Sequence, residues 1–419
     1  MSASINLYKK LQKQFSRRIN LDLERIRKVL EKLNHPHLEL ENPINILGSD
    51  GKMSVLTSLK YFLESDKKKV TAFTSPHLYD LRHRFWIKDR YISVNEIKKY
   101  YEKIKKTKLK LTLFELLTCI YILAAKKEKN ISYNLIESGL LFKKDSTNLW
   151  QNPRAQIITN INFQHQEWVK PQTLQEICKQ KVGFLSKNTT IYISPQEPKT
   201  LKIIKKILKE NPSKKIYSSQ WKILKIKKKI FYKDKKNIIP IKSNYIKSDG
   251  LYNNLGLAIK IALDFGVSKK KIIKTIPKVK FQGRLQYIYT GKLKKLLKKN
   301  EKLLLDGCHS HQSAKNLLSY LKTIQGPIYG IWGMQKNKLP EKFIKTFKGM
   351  FKKIITVKIP NEPNALSANK LKKIVQNLKY SCETAKNINE AIRKCSDLKR
   401  KTIVIFGSLY LVGSALRKN

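Results

Sequence analysis

Lys52 and Ser54, set behind a pair of glycines, supply the residue types that phosphate chemistry needs. They sit in residues 44–60, INILGSDGKMSVLTSLK. Lys52 can neutralise phosphate oxygens, and the Ser54 hydroxyl falls where a Mg²⁺ ligand is required. Gly48 and Gly51 let the backbone around Ser49 and Asp50 curl so that successive N–H groups point inward. A helix beginning near Ser54 adds its partial positive charge to the same spot. The loop is shorter than GxxxxGK[ST], because Met53 separates Lys52 from Ser54. An ordinary strand-to-helix turn has a similar composition, and this stretch alone leaves both readings open.

Further candidates follow predicted strands. Thr74, Ser75, Pro76 and His77 end the apolar run 69–73, so a polar cluster is displayed where open α/β sheets bind ligands. Glu137 follows the strand expected at 131–136, and His165 follows the one at 155–161. A carboxylate and an imidazole beside a phosphate site are possible Mg²⁺ ligands, although nitrogen is uncommon for so hard an ion. Taken alone, each reads as a solvated or locally hydrogen-bonded loop residue. Lys181 lies among apolar neighbours in a helix expected over 174–185. Farther on, Asp306 and His309 follow a strand at 303–305.

These groups need a scaffold, and the apolar periodicity supplies one. Helices are expected over 21–33 (packing on the first strand), 94–105, 113–126 and 252–265, with Ser268 capping another. Residues 82–88 read as extended, and the Lys-rich stretch 199–236 shows no clear alternation. Strands at 303–305, 328–332, 354–357 and 402–406 alternate with helices to the end. The expected class is α/β with a mainly parallel sheet, in two domains over 1–283 and 284–419.

Composition narrows the functional classes. Lys+Arg number 88 against 30 Asp+Glu, a formal charge of +58. The basic residues are spread over every element instead of forming one stripe, as happens when codon usage favours Lys, Ile and Asn. No specific nucleic-acid partner is expected, since recognition needs a localised patch. Five scattered cysteines without CxxC point to a reducing, cytoplasmic setting. The apolar run 111–125 is interrupted by Glu115 and too short to span a membrane. The opening segment MSASINLYKKLQKQFSRR reads as a docked helix, with a transit peptide as the alternative.

Together the segments resemble the folylpolyglutamate synthase/dihydrofolate synthase family, relatives of the Mur ligases. The family's GTNGKGS is similar to Gly48–Ser54, and its TSPHL is intact at Thr74–Leu78. EVGLGGRLDATN is recognisable in Glu137–Asn148, ITNI–DH in 158–165, and EKAGI in 180–184. GR, LDGAHNP and GSLYLVG correspond to Gly283–Arg284, Leu305–His311 and an intact Gly407–Gly413. The resemblance implies a P-loop-type Mur-ligase domain followed by a smaller Rossmann-like domain, with the active site between them. It implies a monomeric, cytoplasmic ligase using ATP, L-glutamate and dihydropteroate or reduced folate, with no membrane partner. Ser54, Glu137 and His165 match the family's magnesium ligands, and Lys181 matches a lysine that becomes carbamylated and bridges metal. Lys52, Lys181 and His165 are then the catalytic candidates. Arg284, Asp306 and His309 match nucleotide contacts, and Thr74–His77 with Asp145 fall in substrate-binding motifs.

The departures are also specific. Asp50 replaces Asn, Met53 replaces Gly, Leu141-Phe142 replace Gly-Gly, Gln164 replaces Asp, Gln180 replaces Glu, and Ser310-His311 replace Asn-Pro. Met53 is expected to restrict the backbone, and Asp50 to place an unfavourable carboxylate near phosphates. Two alternatives stand beside the folate ligase: a Mur-type ligase acting on another carboxylate, and a weakened relative with non-specific nucleic-acid binding.

Overall fold

The computed structural model describes residues 3–15, 21–227, 229–397 and 399–419. Residues 1, 2 and 16–18 of the opening segment therefore lie outside the described residues. The chain forms two compact units, one of residues 1–243 with 251–279 and one of residues 244–250 with 280–419.

In the first unit the elements run α1 (Ala3–Gln14), α2 (Glu24–Lys32), β1 (Pro43–Leu47), α3 (Lys52–Ser65), β2 (Val70–Phe73), β3 (Phe85–Lys88) and β4 (Arg90–Tyr91). They continue with α4 (Val94–Lys105), α5 (Leu113–Lys127), β5 (Tyr133–Glu137), β6 (Ala155–Ile158), α6 (Leu174–Val182), β7 (Thr190–Ile193), α7 (Pro198–Ile207) and β8 (Lys214–Ile216). An antiparallel trio follows, β9 (Trp221–Ile226), β10 (Lys229–Asp234) and β11 (Ile238–Pro240), and then α8 (Asp249–Asp264) and α9 (Lys269–Thr275).

The main sheet has the order β4-β3-β2-β5-β1-β6-β7-β8. From β2 to β8 every neighbour is parallel, and β3 and β4 add an antiparallel edge. β1 is buried along its whole length, as a central parallel strand covered on both faces must be. Its neighbours β5 and β6 put residues 137 and 159 beside the residues that lead into Gly48. The carboxyl edge of the sheet therefore gathers the loops after β2, β5, β1 and β6.

Several expectations are corrected. Residues 81–84 form a turn of 3₁₀ helix before β3, so only the second half of 82–88 is extended. α2 packs with α5, in a cluster that takes Phe73, Phe85, Ile87 and Ile136 from the sheet and no residue of β1. The reason is charge as well as packing: Arg25 reaches the buried Glu115 carboxylate of α5 with Nη2–Oε1 2.8 Å. The β9–β11 sheet was not anticipated.

The second unit contains β12 (Gln286–Tyr287), β13 (Glu301–Asp306), α10 (His311–Leu321), β14 (Ile328–Trp332), α11 (Pro340–Lys345) and β15 (Lys353–Val357). It ends with α12 (Ala368–Gln376), β16 (Ser381–Ala385), α13 (Ile388–Cys395), β17 (Lys401–Phe406) and α14 (Leu409–Lys418). Its sheet order is β12-β13-β17-β14-β15-β16, parallel apart from β12. Such doubly wound sheets bind ligands outside the carboxyl ends of their strands. In this unit those ends carry Asp306 and Gly407.

Candidate active site

β1 delivers the chain into a loop whose shape only glycine permits. Gly48 has φ +142°, and a Cβ there would come within 2.1 Å of Thr159 Oγ1. Gly51 has φ +94°, and its Cβ would meet Asn254 of α8 at 2.6 Å. Any side chain at either position would fill the cradle. α3 begins at Lys52, two residues earlier than expected, so Lys52, Met53 and Ser54 form its first turn. Met53 therefore occupies an ordinary helical position, and the expected backbone restriction is absent. The first-turn N–H groups of a 14-residue helix face the loop, the arrangement that attracts anions. The Lys52 ammonium donates to Gly48 O at 3.1 Å and so lies folded over the loop.

Lys181 approaches the same carbonyl from α6. It is fully buried, and its amine donates to Gly48 O at 3.2 Å and to Leu140 O. Burial, reinforced by the Lys52 charge, lowers its pKa to about 7. Near neutral pH much of this lysine is an uncharged amine. Two N–H groups then satisfy the two carbonyls, and the lone pair is left as a nucleophile.

The loop after β5 is held by Asp145. One carboxylate oxygen accepts from Gly139 N (2.9 Å) and Leu140 N (3.0 Å), the other from Thr147 N (3.0 Å) and Thr147 Oγ1 (2.6 Å). Asp145 thus fixes Leu140, whose carbonyl fixes Lys181. Where the family pattern has two glycines, Leu141 and Phe142 are buried against Ile177, Cys178 and Val182 of α6. Those two side chains dock the loop onto the helix that carries Lys181.

Glu137 ends β5, is 3% exposed, and accepts a hydrogen bond from Ser75 N at 3.1 Å. The TSPHL stretch is itself anchored: Thr74 Oγ1 donates to His83 O (3.0 Å), and His77 Nδ1 accepts from Arg84 Nε (2.9 Å). Tyr8 of α1 packs edge-on against His77, with ring centroids 4.5 Å apart. Pro76 follows a cis peptide bond. His165 stands at φ +66°, in a left-handed conformation that opens a short 3₁₀ turn.

Among the described residues no three His, Cys, Asp or Glu side chains converge as a ready metal cage. Mg²⁺ is usually held by one or two carboxylates together with substrate phosphates and water. Glu137, the Ser54 hydroxyl and the glycine cradle are the hard oxygen donors and open backbone such an ion needs, so the residues fit it.

In the second unit the Asp306 carboxylate accepts from Leu285 N and Cys308 N, both at 2.9 Å. Burial pushes its pKa up against the pull of the Arg284 guanidinium. Gly307 N donates to Gly283 O at 2.8 Å, which brings the Arg284 loop onto the end of β13. His309 is held through Nδ1 to Gly307 O at 2.9 Å. Ser310 caps α10 by accepting from Ser313 N at 3.0 Å, so it takes over the helix start where the family has Asn.

The fold these features define is a Mur-ligase-type α/β unit followed along the chain by a Rossmann-like unit. Comparison with known proteins agrees. The family described as dihydrofolate synthetase, C-terminal domain, matches residues 289–418. The dihydrofolate synthetase of Saccharomyces cerevisiae is 26% identical over 434 residues, covering 95% of this chain and 98% of that one. Two solved structures share the fold. E. coli FolC in complex with DHPP and ADP has a TM-score of 0.86 at 18% identity, covering 99% of this chain and 97% of that one. The bifunctional folylpolyglutamate synthase/dihydrofolate synthase of Yersinia pestis, complexed with AMPPNP and Mn, has a TM-score of 0.84 at 20% identity, covering 100% and 98%. Over nearly its whole length the chain is thus similar to dihydrofolate synthetases and folylpolyglutamate synthases.

Proposed function

We propose that this protein is an ATP-dependent ligase that joins the amino group of L-glutamate to the carboxylate of a pterin-linked acceptor. The observation that carries this is the connection Asp145–Leu140–Lys181–Gly48, which places a buried amine of lowered pKa against a glycine-shaped anion loop. An ordinary strand-to-helix turn has no use for such a lysine.

A carboxylate is a poor electrophile, and it must approach another anion to be activated. An acceptor oxygen attacks the γ-phosphorus, the bond to ADP breaks, and an acyl phosphate forms. The glutamate nitrogen then attacks the acyl carbon, the C–O bond breaks, phosphate leaves, and the amine gives up a proton. Lys52 and the first-turn N–H groups of α3 hold the phosphates and take up the charge that develops on the transferring group. Divalent metal, when bound, screens the two anions from each other. Ser54, Glu137 and His165 are the side chains that would hold it. We assign Mg²⁺ as that ion. The Lys181 lone pair can add to CO₂, forming an N–C bond and releasing a proton, and the resulting carbamate would be an anion able to help hold divalent metal. Thr74–His77 face the acceptor in this scheme, and Asp145 acts on it through the loop it holds. Arg284, Asp306 and His309 would serve the nucleotide from the second unit.

The test is ADP release by the purified protein given Mg-ATP, glutamate and each acceptor in turn. ADP should form at a catalytic rate only when glutamate and a pterin carboxylate are both present. Equal release with other carboxylates would favour the Mur-type alternative. No release with any acceptor would overturn the ligase assignment.

A further inference from the structure

Asp50 stands in the phosphate loop, where a carboxylate is expected to repel the ligand, and its surroundings show how it is accommodated. Asp50 Oδ2 accepts from Asn162 Nδ2 at 2.8 Å and from Gln164 Nε2 at 3.0 Å. Each amide spends its second N–H nearby: Gln164 Nε2 donates to Asn162 Oδ1 at 2.8 Å, and Asn162 Nδ2 donates to Asn160 Oδ1 at 3.0 Å. The main chains are joined at the same place, with Ser49 N and Asp50 N both donating to Asn160 O, at 2.8 and 3.1 Å. Gln164 is buried, at 9% exposed, while Asp50, Asn160 and Asn162 are half-buried.

Against the motifs of the family the chain resembles, Asp50 stands for an amide and Gln164 for an acid. The structure shows that they touch. The contact contains one carboxylate, on the phosphate loop, and one amide, on the loop after β6. A saturated network of this kind tolerates one charge, because a second carboxylate would face the first across a hydrogen-bond distance with no proton between them.

We propose that Asp50 and Gln164 are one reciprocally exchanged positioning pair, limited to a single negative charge. The pair fastens the phosphate loop to the loop carrying His165, and so sets where Lys52 and His165 stand relative to the bound nucleotide. This rests on the phosphate-loop assignment above.

The test uses the full chain and isosteric changes. Gln164→Glu should weaken Mg-ATP binding about tenfold or more, as coupled neighbours do. Asp50→Asn should weaken it less than Gln164→Glu does, since Asn can still accept both bonds. Asp50→Asn combined with Gln164→Glu reverses the polarity of the contact and should restore binding to within about threefold of wild type. The KM for ATP should move with these changes while the KM for glutamate stays in place, which a merely structural contact does not predict. Wild-type nucleotide affinity in Gln164→Glu would overturn the pair, as would a folded double variant no better than Gln164→Glu. Should Gln164→Glu fail to fold, the double variant decides alone: nucleotide binding near wild type supports the pair, and defective binding by a folded protein overturns it. Lys52→Ala, titrated alongside, separates the two readings. If it binds Mg-ATP normally, the phosphate loop itself is misassigned. If it is defective while Gln164→Glu is not, only the pair is lost.

Discussion

Lys181 is the residue at which structure and chemistry meet most closely. Its folded pKa of about 7 lies below the ordinary lysine value of 10.5. Between those values the unfolded chain binds the extra proton, so the lysine's contribution to stability rises with pH across that window. Below pH 7 the burial cost of the ammonium is fully present. In CO₂-free buffer, the melting temperature of wild type relative to Lys181→Met should climb from pH 7 to pH 10; a difference independent of pH would deny the buried-amine state. Supplying bicarbonate should raise wild-type turnover, and acetate should partly rescue Lys181→Ala. The sequence pointed to this residue through its motif and its apolar neighbours. The links to it did not show there, because Leu140 acts through a main-chain carbonyl, and carbonyls leave no trace in side-chain pattern. Likewise Asp50 and Gln164 are 114 residues apart, so nothing local reveals that they share a hydrogen bond.

Elements bounded by strong local signals were legible to the residue. Ser93 with Glu96 and Thr112 with Glu115 form capping boxes, and α4 and α5 begin where those boxes place them. Strands with buried apolar runs, such as β14 with IYGIW, were equally plain. β16 was missed because SCETA is half-exposed and carries no apolar run. The β9–β11 trio was missed because alternating lysines hide its period. The docking of α2 on α5 depends on a pair 90 residues apart, Arg25 and Glu115, and Thr112 N also donates to that carboxylate at 2.6 Å. Glu115 is 3% exposed, so Arg25→Met should leave a buried carboxylate short of its cation and cost about 3 kcal/mol in a urea titration. A loss below about 0.5 kcal/mol would show that α2 is held by apolar packing alone.

At the scale of the molecule, the α/β class and the parallel central sheet were readable from alternating strands and helices, and the order of strands was not. That order decides the site, since it sets β5, β1 and β6 side by side. The charge of +58 is the other whole-molecule property. It predicts sequence-blind association with RNA or DNA that collapses as salt rises to physiological levels. Mg-ATP should still raise the melting temperature there, because a ligand bound only by the folded state stabilises it. Salt-resistant selection of one nucleic-acid sequence, with no response to Mg-ATP, would contradict this. The central claim is that the acceptor carboxylate is activated as an acyl phosphate, and the most direct measurement follows its oxygen. With both carboxylate oxygens of the acceptor labelled with ¹⁸O, one label should appear in the inorganic phosphate for each glutamate joined. Unlabelled phosphate, with amide still being formed, would contradict the account.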